Sequence, residues 1–349
     1  MKKKWMIYGA SGYTGELIAH EAVKRGFSPV LGGRSEENLL PLAIKLKLEV
    51  REFPLDAGAS AFLEDIDLVL HCAGPFSNTS APMVEACIAA ASHYLDITGE
   101  IAVFEHTQSK NLIAKERGIV LCSGVGFDVI PTDCIALKLK ELLPDATHLS
   151  LGFDSDSGIS PGTMKTMIQG LGGGSAERRD GALTPVPLGS QRRTIDFGRG
   201  LRSAMGIPWG DVSTAFHTTG IPNISAWIPM AKSRILGARL LAGIGPVLAT
   251  SFMQNKLKDW VDRNIAGPDE TLRSNAPAFV WGEARNAAGQ IKTVRIQTAN
   301  VYDLTVNGSL AVVEKLLKSE YKGGSFTPAS LFGSHFIEEL PGSSKFQID

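Results

Sequence analysis

The sequence predicts an α/β protein: a Rossmann-like, doubly wound parallel sheet, joined to a second α+β domain built on a mostly antiparallel sheet. Three observations predict it. Short apolar runs alternate with helix-period segments over residues 1–150, the pattern of βαβ units around a parallel sheet. The first of these runs leads into Gly9-Ala10-Ser11-Gly12-Tyr13-Thr14-Gly15, a glycine-rich turn that opens a helix. Beyond Pro144 the runs lengthen and alternate, with Gly, Pro and Ser between them, as a sheet with one wet face requires.

Six strands are expected in the first domain: Trp5 to Tyr8, Pro29 to Gly32, Val50 to Phe53, Leu68 to Cys72, Tyr94 to Ile97 and Ile119 to Ser123. Helices fit between them. Thr14 to Arg25 closes at Gly26, Pro82 to Ala91 has proline in its first turn, and Val103 to Arg117 closes at Gly118. In the second domain, Ala278 to Arg285 and Ile291 to Thr298 flank Asn286-Ala287-Ala288-Gly289, a hairpin connection with turn residues at both ends. A helix over Ser309 to Lys318 follows, then a Thr327-capped helix with Pro328 at its first position, running to about Leu340.

With 349 residues the chain has length for about two domains. Lys+Arg 35 against Asp+Glu 36 leaves a formal net charge of -1, which argues against a nucleic-acid binder and for small-molecule partners. The apolar run after the opening lysines stops at Gly9, too short for a signal peptide, so the chain is expected to begin at Met1. The uncharged stretch Leu240 to Asn255 carries Gly243, Gly245 and Pro246 and is too short to span a bilayer. Cys72, Cys87, Cys122 and Cys134 sit in apolar runs without CxxC spacing, which suits reduced core thiols and a cytoplasmic compartment. Residues 1–150 hold 14 basic and 19 acidic side chains, and the remainder 21 and 17, so the two domains carry opposite excess charge. Six arginines between Arg178 and Arg202 face only Asp180 and Asp196, either a solvated loop or a patch for an anionic substrate.

The glycine turn has the spacing G-x-x-G-x-x-G. Gly9 permits the tight turn, Gly12 lets backbone approach a pyrophosphate, and Gly15 permits close helix-to-strand packing. Ser11, Tyr13 and Thr14 lie at the helix N-terminus, whose N–H groups favour an anion. Where a dinucleotide site carries the residue that reads the ribose, this chain has Arg34-Ser35. A guanidinium there grips a 2'-phosphate, so NADP(H) is favoured over NAD(H); the bland alternative is an ion pair with Glu36 or Glu37. Asp56 either reaches the adenine edge or is a plain turn residue. Ala73, Gly74 and Pro75 leave room for cofactor beyond the fourth strand, and Phe76 walls the nicotinamide or belongs to the core.

The glycine turn, Cys72 to Phe76, His93 to Glu100 and Gly126 to Asp133, in this order, resemble the saccharopine-dehydrogenase-like oxidoreductases, which include the trans-acting enoyl reductases. Ser160 to Thr163, Trp209 to Ile224 and Gly323 to Ala329 extend the resemblance over nearly the whole chain. It implies an NADP-binding Rossmann domain over residues 1–146 and an α+β domain for substrate or dimer contacts over 147–324. It also implies that a C-terminal helix, about 325–345, packs back on the first domain. A substrate-side cysteine of the true saccharopine reductases has no counterpart at Phe153-Asp154-Ser155-Asp156, which argues against saccharopine itself.

Hydride transfer commonly needs a proton donor beyond the carboxyl ends of the strands. That criterion selects Asp128 as acid, base or substrate anchor, with a turn-capping aspartate as the alternative. Glu100 either holds a cationic substrate or begins a helix, and Tyr94 either donates a phenolic proton or fills the core. His71 and His93 are read as core histidines, and Asp133 as a structural carboxylate in the first turn of a helix. The expected activity is NADP(H)-dependent transfer of hydride to or from a C=N, C=O or C=C bond of an amino-acid-like or acyl small molecule; the alternative is an NADP-binding sensor without turnover. A homodimer is expected through the second domain. The apolar stretch Ile221 to Asn255, with Lys232, Arg234 and Arg239, is either core or a hydrophobic channel whose basic residues meet an anionic head group or membrane surface.

Overall fold

The computed structural model describes residues 3–156, 175–242, 250–264 and 276–349. The motif Ser160 to Thr163 and part of the stretch Ile221 to Asn255 lie outside the described residues. The chain divides into two compact units, Met1–Asp128 with Thr305–Pro328, and Val129–Leu304 with Ala329–Asp349.

In the first unit, β1 (Trp5–Tyr8), β2 (Val30–Gly33), β3 (Val50–Glu52), β4 (Leu68–His71), β5 (His93–Asp96) and β6 (Val120–Cys122) form a parallel sheet in the order 3-2-1-4-5-6 reading from β3 to β6. All four residues of β1 and of β4 are buried, because helices cover both faces and a strand there has no polar side. The strand order reverses between β1 and β4, which opens a crevice at their carboxyl ends. Of the intervening helices, α1 (Tyr13–Lys24) buries Gly15, Ile18, Ala19 and Ala22, a one-face stripe. Helix α2 (Glu36–Leu46) is capped by Ser35, whose hydroxyl accepts from the Asn38 amide.

Three expectations change. Helix α3 (Phe76–Ala90) starts six residues before Pro82, so that proline lies inside it. The predicted helix Val103 to Arg117 is two pieces, α4 (Ile101–Ser109) and α5 (Asn111–Arg117). A seventh strand, Gly324–Phe326, pairs in parallel with β6, and the helix Val301–Lys318 that leads to it belongs to this unit from Thr305 onward.

The second unit opens with α6 (Ile130–Leu142), which carries Pro131 in its first turn. Its sheet is mixed: among the described residues only Ala146–Ser155 and Asn223–Pro229 pair in parallel, and the other pairings are antiparallel. The hairpin Ala278–Asn286 and Ile291–Thr298 forms where expected. Helix α6 packs so closely on it that a side chain at Gly282 would run into Ile135. The domain limits therefore differ from 1–146 and 147–324: the units divide before α6, and the C-terminal stretch splits. Pro328–Phe332 is a short helix, Gly333 at φ +85 ends it, and residues 329–349 belong to the second unit.

Candidate functional site

The glycine turn lies where β1 passes into α1, and each glycine has a physical reason. Gly9 adopts φ +85, and a Cβ on it would stand 2.6 Å from the Ala73 amide nitrogen. Gly15 packs on the Gly9 carbonyl oxygen, leaving no room for a side chain. Gly12 precedes the helix at φ -79, ψ 159, and no side chain caps α1. Ser11 and Gly12 are exposed, Tyr13 and Thr14 half-buried, so the first turn of the helix faces open space. Such a turn presents backbone N–H groups and the positive end of a helix dipole to an anion. Gly9 and Ala73 bring the turns after β1 and β4 into contact, and Gly74 beside them is exposed.

Arg34, at the end of β2, is exposed, and among the described residues neither Glu36 nor Glu37 pairs with it. The ion-pair alternative is thus not what the structure shows. Ser35 serves as the α2 cap, with its hydroxyl turned to the Asn38 amide. Asp56 takes the turn role: its Oδ1 accepts from the Gly58 amide at 2.8 Å, opening the 3-10 turn Ala59–Leu63. Phe76 is half-buried at the start of α3 and stands edge-on to His71, ring centroids 5.4 Å apart.

His71 is buried, and burial pushes its imidazole down to about 3, so it is neutral. Its Nε2 lies 3.0 Å from Thr79 Oγ1, which itself donates to the Ala73 carbonyl at 2.6 Å. That pair ties α3 to the end of β4 beneath the turn. His93 likewise has a structural partner, its Nδ1 accepting from the Val120 amide at 2.9 Å.

The carboxyl ends of β5 and β6 carry the remaining candidates. Tyr94 is fully buried and its hydroxyl donates to Asp96 Oδ2 at 2.8 Å, so it occupies the core position rather than an open site. Glu100 does not project toward solvent as a cation trap: Oε1 accepts from the Phe76 amide at 3.0 Å and Oε2 from the Ser77 amide at 2.9 Å. It is the cap of α3, and it explains why that helix begins at Phe76.

Asp128 is the carboxyl left at the crevice edge of the unit. It is partly buried, and a Cβ on Gly99 would stand 3.0 Å from its Oδ2. Burial lifts its carboxyl to about 7, where it can hold or release a proton near neutrality. Two residues that sequence reasoning passed over set its place. Asp96, buried at the end of β5, accepts from the Thr98 and Gly124 amides at 3.0 and 2.8 Å, joining the two loops. Thr305 accepts from the Phe127 amide at 3.0 Å. An aspartate ending an apolar strand was a usable signal for the first; Thr305 lies 178 positions from its partner, and no local pattern marks it. Asp133 is structural, buried and accepting from Thr218 and, at 2.8 Å, from the Ala329 amide.

The arginines between Arg178 and Arg202 are mostly paired. Arg199 meets Asp154 and Asp156, Arg193 meets Glu283, and Arg178 is buried against main-chain carbonyls. That pairing removes the anionic-substrate patch as a reading of this stretch.

Residues 5–121 match the sequence model of the saccharopine dehydrogenase NADP binding domain. Human saccharopine dehydrogenase-like oxidoreductase is 28% identical over 214 residues, covering 52% of this chain and 50% of that protein. The chain thus spans about half the length of that curated relative. The trans-acting enoyl reductase of Mycobacterium tuberculosis H37Rv is 24% identical over an alignment of 402 residues, covering 97% of this chain and 95% of that protein. Among solved structures, apo saccharopine dehydrogenase (L-Glu forming) from Saccharomyces cerevisiae aligns over 99% of this chain and 100% of that one, with a TM-score of 0.61 at 12% identity, and so shares the fold.

Proposed function

We propose that this saccharopine dehydrogenase-like oxidoreductase, whose first unit is an NAD(P)-binding domain, uses NADP(H) to reduce or oxidise a C=N, C=O or C=C bond of a small molecule. The observation that carries the reading is the glycine turn: Gly9 and Gly15 leave a cradle that any side chain would fill, at the open end of α1. The residues present fit a dinucleotide. Gly9 to Gly15 would hold the pyrophosphate, Arg34 a 2'-phosphate, and Ala73, Gly74 and Pro75 would leave space beyond β4. The nicotinamide, when bound, supplies or takes up the hydride. Asp128 holds or moves the accompanying proton at its carboxyl, since a group titrating near neutrality can do either at working pH. That a relative aligned along the whole chain is an enoyl reductase supports including a C=C bond and an acyl substrate.

A fluorescence titration tests this. NADPH emission should change on binding and decay when a panel of carbonyl, imine and enoyl compounds is added. Binding with no oxidation by any of them would instead make the protein an NADP sensor. We further place the protein in the cytoplasm and as a homodimer paired through the second unit. Four free cysteines support the first. For the second, a monomer by light scattering at micromolar concentration is the contrary result.

A further inference from the structure

His71 is an unusual residue to find in the core of the first unit. It ends β4, is fully buried, and stands among three other rings, with centroids 5.6 Å from Tyr8, 5.4 Å from Phe76 and 6.2 Å from Tyr94. A leucine or phenylalanine fills such a place without taking a nitrogen out of water, and a neutral imidazole has two.

One of those nitrogens has a partner. Thr79 has a single hydroxyl hydrogen, and its 2.6 Å approach to the Ala73 carbonyl oxygen needs that hydrogen in between. Across the 3.0 Å to His71 Nε2, Thr79 Oγ1 therefore accepts, and the imidazole carries its proton on Nε2. Nδ1 is left as a bare acceptor, buried and without a partner among the described residues. An atom in that state lowers stability, and it accompanies the Nε2 donor unavoidably.

What the donor acts on is the floor of the crevice. Its bond fixes the Thr79 hydroxyl and, by polarising it, strengthens the bond from that hydroxyl to Ala73; the Pro75 carbonyl lies 3.1 Å from the same oxygen. Ala73 in turn is what a Cβ on Gly9 would strike, its amide nitrogen, Cα and Cβ lying 2.6 to 2.8 Å from that point. The glycine turn thus rests on a residue whose position is set from the core. Helix α3 does not need the pair for its own sake: Glu100 caps it, and it buries Met83, Val84, Cys87 and Ile88.

We infer that His71 is a positioning residue of the cofactor site, which through Thr79 holds the Ala73–Pro75 turn against the glycine turn and does so against the stability of the fold. The inference rests on the NAD(P) reading of that crevice and is independent of the substrate and of Asp128.

The test separates affinity from stability. His71→Leu with Thr79→Val replaces both partners by apolar groups and removes the bare nitrogen. The thermal midpoint should equal or exceed that of the unmutated protein, while the NADPH dissociation constant, by fluorescence titration, rises about 10-fold, as loss of one net hydrogen bond implies. His71→Gln, whose amide can present an N–H where Nε2 stands, should bring affinity back to within about threefold. Thr79→Val alone strands Nε2 as well, and should lower midpoint and affinity together. A double variant that melts lower or does not fold, or one that binds NADPH as tightly as the unmutated protein, overturns the inference. So does a glutamine variant that binds no better than the double variant. Absence of NADPH binding by the unmutated protein overturns the cofactor reading itself, and this inference with it.

Discussion

Replacing Asp128 with asparagine removes the one carboxyl at the β5–β6 edge that burial lifts to about 7, and the consequence can be worked without knowing any substrate. In the unfolded chain this aspartate titrates at its ordinary 3.8. Between that pH and about 7 the folded protein keeps a proton that the unfolded chain has released. Stability from this group is thus fully present below about pH 4 and is lost as pH rises to about 7. The difference between about 7 and 3.8, at about 1.36 kcal/mol per pH unit, amounts to up to ~4 kcal/mol. Asparagine resembles the protonated acid and has no such dependence. Urea unfolding of both proteins across this pH range isolates the effect, because every other titrating group cancels in the difference. Asp128→Asn should gain on the unmutated protein by up to ~4 kcal/mol from acid to neutral pH. Parallel pH profiles would refute the near-neutral carboxyl and, with it, the role of Asp128 as proton carrier.

Arg34→Asp should weaken NADPH binding by about 100-fold, or about 3 kcal/mol, through loss of a charge-assisted pair and added repulsion, while NADH affinity holds; equal affinities for the two cofactors in the unmutated protein would remove the basis for this. Gly9→Ala should destabilise the first unit by ~2 kcal/mol or more and abolish cofactor binding, since φ +85 and the 2.6 Å approach to Ala73 both exclude a methyl group; native melting and binding would contradict it. Glu100→Ala should cost ~1–2 kcal/mol and speed amide exchange at Phe76 and Ser77, whose N–H groups it holds.

The elements most legible in the sequence are those whose cause is local. Trp5-Met6-Ile7-Tyr8 reads as a strand between lysines and Gly9, and it is one, buried throughout. The hairpin at Ala278 was legible from alternation and its turn residues. What could not be read has a cause elsewhere in the chain. Phe76 to Ala81 has no apolar periodicity and Pro82 looks like a helix start, yet the helix begins earlier because Glu100 caps it from 24 positions away. Gly324–Phe326 is too short and glycine-rich to read as a strand, and it is one because β6 offers an open edge. The same division holds at the site. The glycine turn and Arg34 declare themselves by spacing, whereas Tyr94 and Glu100 are polar groups whose partners, Asp96 and the α3 amides, appear only once the strands are side by side.

The most direct test of the cofactor site is a crystal structure of the protein grown with NADPH. It should show the pyrophosphate against the backbone of Gly9 to Gly15, the 2'-phosphate within ion-pair distance of Arg34, and the nicotinamide at the carboxyl ends of β5 and β6 on the side of Asp128. Saturating NADPH that leaves the turn empty, or that binds with its 2'-phosphate away from Arg34, would contradict it.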